Sequence, residues 1–133
     1  YIANLVIKMR PEYSVKIIPG VSSVNAASAV CGRSLVQAEQ CLTIQPCSVV
    51  LNKPSEWWYS FDCVSVMKIG KKLPQLIARL QSLSLIDNAM LVTRAGFENQ
   101  SIIYGTDLIN CADDLGYLAI LLFYKRLITE ESY

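Results

Sequence analysis

Short apolar segments alternate with segments of helical periodicity along this chain, and that alternation most constrains its fold. Five runs have the length and the bounding turn residues of β-strands, and residues 101–104 add a short extended edge; the runs are residues 15–18, 42–45, 63–67, 90–93 and 117–123. Alternating strands and helices predict an α/β fold. Because two connections are too short or irregular for crossover helices, we expect a mixed sheet of about five strands with helices packed on it.

The predicted helices have recognisable starts and stops. Residues 1–9 have the spacing of the end of a helix, and Ser22 or Ser23 caps a second helix that ends at Gly32. The clearest amphipathic helix spans residues 73–83. Residues 47–60 are predicted to form a loop with a short helix. Its aromatic residues 57–59 form either a lid over the core or a surface for another protein.

Composition indicates a single folded domain over residues 1–133. The chain is 53% hydrophobic and 17% charged, with a net charge of +1, so it buries a core and has no basic surface for nucleic acid or an anionic membrane. Its longest apolar run, residues 115–124, is shorter than the roughly 18 residues of a membrane span. We therefore expect a cytoplasmic protein with no nucleic acid or membrane partner.

Five cysteines and no histidine limit the chemistry. Without histidine, Ser-His-Asp and Cys-His catalytic pairs are excluded, as is most zinc chemistry, and we predict no metal site. The odd number of cysteines, with no CxxC spacing, favours buried free thiols in a reducing compartment over disulfides. No phosphate-loop or dinucleotide motif is present.

Four predicted strand ends carry small or polar residues, at positions 19–23, 66–70, 93–97 and 116–119. Ligands of open α/β sheets bind at such ends. The first has two hydroxyls at a helix start, where free N–H groups can donate hydrogen bonds to an anion, although the pattern favours simple helix capping. The others are also explained by ordinary turns, so the pattern alone leaves their role open.

In order along the chain, these segments resemble the C-terminal half of the tetrapyrrole methylases. The most specific match spans residues 15–35 and contains Pro19-Gly20 followed by two serines and an alanine-rich helix. Residues 64–74, 93–100 and 116–122 complete the resemblance. The run Met67-Lys68-Ile69-Gly70 is typical of the branch that methylates C20 of precorrin-2.

This resemblance implies an S-adenosylmethionine-dependent methyltransferase of cobalamin biosynthesis that acts on precorrin-2 or cobalt-precorrin-2 and forms a homodimer. The implied cofactor contacts are Ser22, Ser23, Met67, Ala95, Tyr117 and Leu118. Lys68 and Arg94 are implied partners of the substrate carboxylates. Methyl transfer to a ring carbon depends on alignment more than on acid–base groups, and no catalytic residue is assigned.

Several features depart from the family pattern. Family members are about twice as long, and their N-terminal half carries a GDP motif that this chain lacks. We therefore expect a C-terminal portion of a two-domain methylase, with residues 1–14 ending a preceding helix or linker and residues 125–133 forming a polar tail. We expect such a portion to fold but to methylate poorly or not at all alone. Ser34 stands where the family prefers proline. The alternatives are another tetrapyrrole or a diphthine precursor as substrate, or a non-catalytic dimerisation or regulatory domain.

Overall fold

A five-stranded sheet forms the centre of the computed structural model, which describes residues 1–126. Its strands are β1 (Leu42–Pro46), β2 (Cys63–Met67), β3 (Ala89–Thr93), β4 (Ser101–Tyr104) and β5 (Ala119–Tyr124), in the order β1-β2-β5-β3-β4. β1 and β2 run parallel, whereas β5 is antiparallel to β2 and β3, and β4 is antiparallel to β3. The predicted mixed sheet of about five strands is confirmed.

The helices lie between and beside these strands. They are α1 (Ile2–Met9), α2 (Ser23–Cys31), α3 (Cys47–Val50), α4 (Ser55–Trp58) and α5 (Leu73–Ser82), with short 3-10 turns at residues 70–72, 86–88, 105–110 and 113–116. Ser22 caps α2 as predicted, since its Oγ accepts a hydrogen bond from the Asn25 N–H at 3.2 Å. Gly32 ends the helix in the left-handed conformation.

Both faces of the sheet are covered. Along β5, alternate side chains point to opposite faces: Leu121 and Phe123 pack in a cluster with α5 and Trp58, whereas Ile120 and Leu122 pack with α2. All six residues of β5 are buried. The C-terminal apolar run predicted from the sequence is therefore the centre of a three-layer core.

Two predicted strands need correction. Residues 15–18 form no strand: Ile17 and Ile18 are 78% and 77% exposed, and within residues 1–126 no other strand lies beside them to supply hydrogen bonds. The last strand begins at Ala119 and not at residue 117, because Leu118 has φ of 52°, a left-handed conformation that a strand does not accommodate.

Of the two alternatives for residues 57–59, the side chain of Trp58 favours a lid over the core, since it is fully buried against Phe123. It forms part of the core and is not available to another protein.

Residues 1–22, which we call the N-terminal arm, contain no buried residue, and α1 lies within them. Residues 127–133, most of the predicted polar tail, lie outside the described residues. Over residues 1–126, no helix has the length and apolar character needed to cross a membrane.

Candidate functional site

A cleft of about 450 Å³ lies at one edge of the sheet, where β2 and β3 end and β5 begins. It is formed by the start of α2 and by the turns at these three strand ends. Its lining residues are Ser23, Ala26, Lys68, Ile69, Gly70, Val92, Arg94, Ala95, Phe97, Gly116, Tyr117, Leu118, Ala119 and Ile120. The cleft therefore gathers residues from all four segments that the sequence singles out.

The sheet topology explains why these distant segments meet. β5 lies between β2 and β3 and runs antiparallel to both, so its first residue stands beside the last residues of its two neighbours. α2 packs through Val24 and Ala27 on the face of the sheet that carries Ile120 and Leu122. Its first turn consequently places Ser23 and Ala26 over the cleft.

Small residues make the cleft possible. Ala26, Ala95 and Ala119 line it, and Gly116 brings two turns into direct contact. A Cβ atom at Gly116 would lie 2.0 Å from the carbonyl oxygen of Gly70. Only glycine allows the 113–116 turn to pack this closely on the turn after β2.

Three lining residues other than glycine have left-handed backbones. Lys68, Arg94 and Leu118 have φ of 55°, 49° and 52°, and they stand at the cleft ends of β2, β3 and β5. The Arg94 N–H donates to the Leu118 carbonyl oxygen at 2.8 Å. Such strained residues cost about 1–3 kcal/mol each and cluster at functional sites.

The charge at the cleft is positive. Lys68 is exposed and Arg94 half-buried, and none of the lining residues is acidic. The turn after β3 is held by the Gly96 N–H, which donates to Gln100 Oε1 at 3.0 Å. A mainly apolar cleft with cations at its mouth suits a flat apolar group joined to carboxylates.

The structure brings together six of the eight predicted site residues. Ser23, Ala95, Tyr117 and Leu118 line the cleft, as do the two cations, Lys68 and Arg94. The other two lie beside it.

Ser22 and Met67 are the two that do not line the cleft. Ser22 caps α2, and Met67 is half-buried among the apolar residues beneath that helix. The part that each predicted site residue plays in binding stays a prediction.

Ala26 is the lining residue that sequence reasoning missed on α2. It lies three residues after Ser23 and therefore on the same face of the helix. That spacing was the available signal.

None of the five cysteines lines the cleft. Cys47 and Cys63 are buried, as predicted, and burial raises the pKa of Cys63 to about 12. Cys41 is exposed, contrary to the prediction, because it precedes the edge strand β1. Across residues 1–126, no group of three or more cysteine or acidic side chains is arranged to hold a metal ion.

Comparisons with known proteins identify the family to which the chain belongs. The sequence profile of the family "Tetrapyrrole (Corrin/Porphyrin) Methylases" matches residues 1–107, and the chain belongs to this family. Members of the family use S-adenosylmethionine as the methyl donor.

Similar proteins agree with this assignment. The chain is 24% identical over 111 residues to a precorrin-2 C(20)-methyltransferase from Sinorhizobium sp., covering 84% of this chain and 44% of that protein. The structure of a cobalt precorrin-4 methyltransferase matches with a TM-score of 0.69 at 15% identity, over 92% of this chain and 57% of that one.

A uroporphyrin-III C-methyltransferase from Thermus thermophilus, complexed with S-adenosyl homocysteine, matches with a TM-score of 0.57 at 14% identity over 90% of this chain and 57% of that one. The chain thus spans about half the length of these proteins.

Proposed function

We propose that this chain is the C-terminal portion of an S-adenosylmethionine-dependent methyltransferase of corrin biosynthesis. The proposed substrate is precorrin-2 or cobalt-precorrin-2, and the proposed position is C20. The observation that carries the proposal is the cleft, where all four family-like segments meet. The similarity to a precorrin-2 C(20)-methyltransferase supports the choice of substrate.

The cleft residues fit the cofactor. Ala26, Ala95 and Gly116 leave space for a flat ring, and the Ser23 hydroxyl offers a polar contact at the start of α2. Tyr117 and Leu118, which directly precede β5, form one wall of the cleft. In this proposal Ser22 and Met67 support the site from beside it, the first by fixing the helix start and the second by packing beneath α2.

The protein's contribution to the reaction is alignment. When bound, the cofactor supplies a sulfonium methyl group as the electrophile for a ring carbon. The apolar walls of the cleft exclude water from the reacting atoms, and no side chain has to remove a proton before transfer. Lys68 and Arg94 hold the substrate by its carboxylates and so fix which ring carbon approaches.

The remaining half of the site is proposed to come from a second domain. The chain covers 44% of the Sinorhizobium protein, and the N-terminal arm leaves Leu5, Ile17 and Ile18 exposed. An apolar arm of this kind is typical of a surface that another folded unit covers. We propose that this unit completes the cofactor site, that the chain alone transfers methyl groups weakly or not at all, and that the whole enzyme is a cytoplasmic homodimer.

Calorimetric titration with S-adenosylhomocysteine tests the cofactor site. Ala26→Leu fills the cleft, and we expect it to lower the affinity at least tenfold. Ala29→Leu makes the same change one turn further along α2, on an exposed position that does not line the cleft. It is expected to leave the affinity unchanged. Equal affinities for both variants would contradict the proposed cofactor site. No binding by a folded unsubstituted chain would contradict cofactor binding by this cleft alone and assign the affinity to the proposed second domain.

The two cations are tested with uroporphyrin, a tetrapyrrole rich in carboxylates, by fluorescence quenching. Lys68→Ala and Arg94→Ala are each expected to weaken binding about threefold to tenfold. Lys71→Ala removes a nearby exposed cation that does not line the cleft, and we expect no change. An equal loss from all three variants would indicate general charge attraction in place of a substrate site.

A further inference from the structure

Three neighbouring strands end on the same edge of the sheet in left-handed residues, and none of the three is glycine. Lys68 follows β2, Arg94 follows β3 and Leu118 precedes β5, which lies between the other two. Arg94 and Leu118 continue the β3–β5 register one step beyond the pair Thr93 and Ala119. The backbone therefore turns at paired positions next to β3 and β5, and the cleft opens there.

Leu118 has no evident local reason for its conformation. Left-handed backbone is unfavourable for a leucine, and the side chain is 54% exposed, so its burial gives little compensation. Two contacts hold the turn: the 2.8 Å hydrogen bond from the Arg94 N–H and the packing of Gly116 on Gly70. Tertiary structure imposes the conformation.

We propose that Leu118 is a positioning residue of the cleft. Its left-handed backbone, held by the Arg94 N–H, directs Tyr117 to the mouth of the cleft and returns the chain to the sheet at Ala119. The hydrogen bond also fixes the turn that carries Arg94 and Ala95 on the opposite wall. The conformation of one residue thus sets the separation of two walls that must both contact a flat ligand. This proposal rests on the proposed function, because the ligand is the adenosyl group of the cofactor.

The test compares two substitutions at Leu118 that differ in backbone preference. Leu118→Asn keeps a residue that tolerates the left-handed region, whereas Leu118→Val introduces a β-branched residue that avoids it. The matched control is the same pair at Ser84, an exposed residue with φ of 56° that follows α5 and does not line the cleft.

Three measurements are made on each variant: hydrogen exchange of the Arg94 amide by NMR, the Kd for S-adenosylhomocysteine, and the Tm. We expect the Arg94 amide to exchange at least tenfold faster in Leu118→Val than in Leu118→Asn. The Kd of Leu118→Val for S-adenosylhomocysteine is expected to be at least tenfold higher than that of Leu118→Asn. If a residue has only a structural role, its substitution changes the Tm but not the Kd. We expect this of the control, in which Ser84→Val and Ser84→Asn differ in Tm but have the same Kd.

The outcomes separate the two proposals. A common Kd for the two Leu118 variants, with normal binding by the unsubstituted chain, overturns the positioning role and leaves the cofactor site standing. Equal protection of the Arg94 amide in both variants likewise overturns it. Absence of binding by the folded, unsubstituted chain contradicts the cofactor contacts proposed for this cleft, and this proposal with them.

Discussion

The N-terminal arm and the central strand β5 are both rich in apolar residues, but they have opposite fates. β5 buries all six of its residues. The arm buries none, and its exposed large side chains are Tyr1, Ile2, Leu5, Ile7, Met9, Tyr13, Ile17, Ile18 and Val21. Apolar composition therefore does not decide burial here.

The difference lies in the available partners. β5 has a hydrogen-bonded strand on each side and an apolar cluster on each face. The arm has neither in the described part of the chain. The comparison shows that an apolar segment contributes stability only when another surface covers it.

Leucine truncation measures this comparison most directly. Leu121→Ala, at a fully buried position in β5, is expected to lower the free energy of unfolding by about 2–5 kcal/mol in urea denaturation. The same change at Leu5, which is 42% exposed in α1, is expected to have an effect below about 0.5 kcal/mol. Leu121→Met, which keeps the volume, should cost less than about 1.5 kcal/mol. Similar losses at residues 121 and 5 would show that the arm is packed.

Alkaline pH provides a second measure of burial in the sheet. Burial raises the pKa of the Cys63 thiol to about 12 in the folded chain, above the ordinary value of 9.0 for an exposed thiol. Between these values the unfolded state releases the proton and the folded state does not. The free energy of unfolding therefore falls as the pH rises, by about 1.4 kcal/mol per pH unit from this group.

Urea denaturation at several pH values from 9 to 12 measures that slope. Cys63→Ala is expected to make the slope shallower by the contribution of one proton, and the exposed Cys41→Ala serves as the control. An unchanged slope in Cys63→Ala would show that the Cys63 thiol does not cause this loss of stability at alkaline pH.

Glycine substitution compares the two regions at the level of the backbone. Gly116→Ala forces the 113–116 turn away from Gly70, with an expected cost of about 1–3 kcal/mol and weaker binding of S-adenosylhomocysteine. Gly20→Ala, in the arm, meets no atom within 4 Å and is expected to change stability by less than about 0.5 kcal/mol. Full stability and binding in Gly116→Ala would show that the two turns separate without cost.

Deletion of residues 1–13 has the smallest expected effect. Because none of these residues is buried, the free energy of unfolding of the remainder should change by less than about 0.5 kcal/mol. Urea denaturation followed by tryptophan fluorescence is suitable, since both tryptophans lie far from the arm in the sequence and Trp58 is buried in the core. A loss above about 1 kcal/mol would mean that the arm packs on the sheet.

Local signals predicted much of the fold. The spacing of Leu76, Ile77 and Leu80 identified the buried face of α5, and Ser22 and Gly32 marked the ends of α2. These features are decided within a few residues of the chain, so periodicity and capping report them well. The strand predicted at residues 15–18 failed because a strand depends on a partner.

Sequence also identified the segments of the candidate site but not all of its geometry. Six of the eight predicted residues line the cleft because they follow or precede strands that meet at one edge. The left-handed backbones of Arg94 and Leu118 had no sequence signal, since neither residue type favours that conformation. Met67 also had no sequence signal for its position, because it packs with the apolar residues beneath α2 and does not line the cleft.

Residue type and local spacing were enough to predict the α/β class, the caps of α2, the buried face of α5 and the family resemblance, because each of these features depends on residues close together in the chain. The central place of β5, the exposure of the N-terminal arm and the contact between Gly116 and Gly70 became visible only in the folded structure. These features arise between segments far apart in the chain. Their free energy comes from surfaces that exist only after the sheet has assembled.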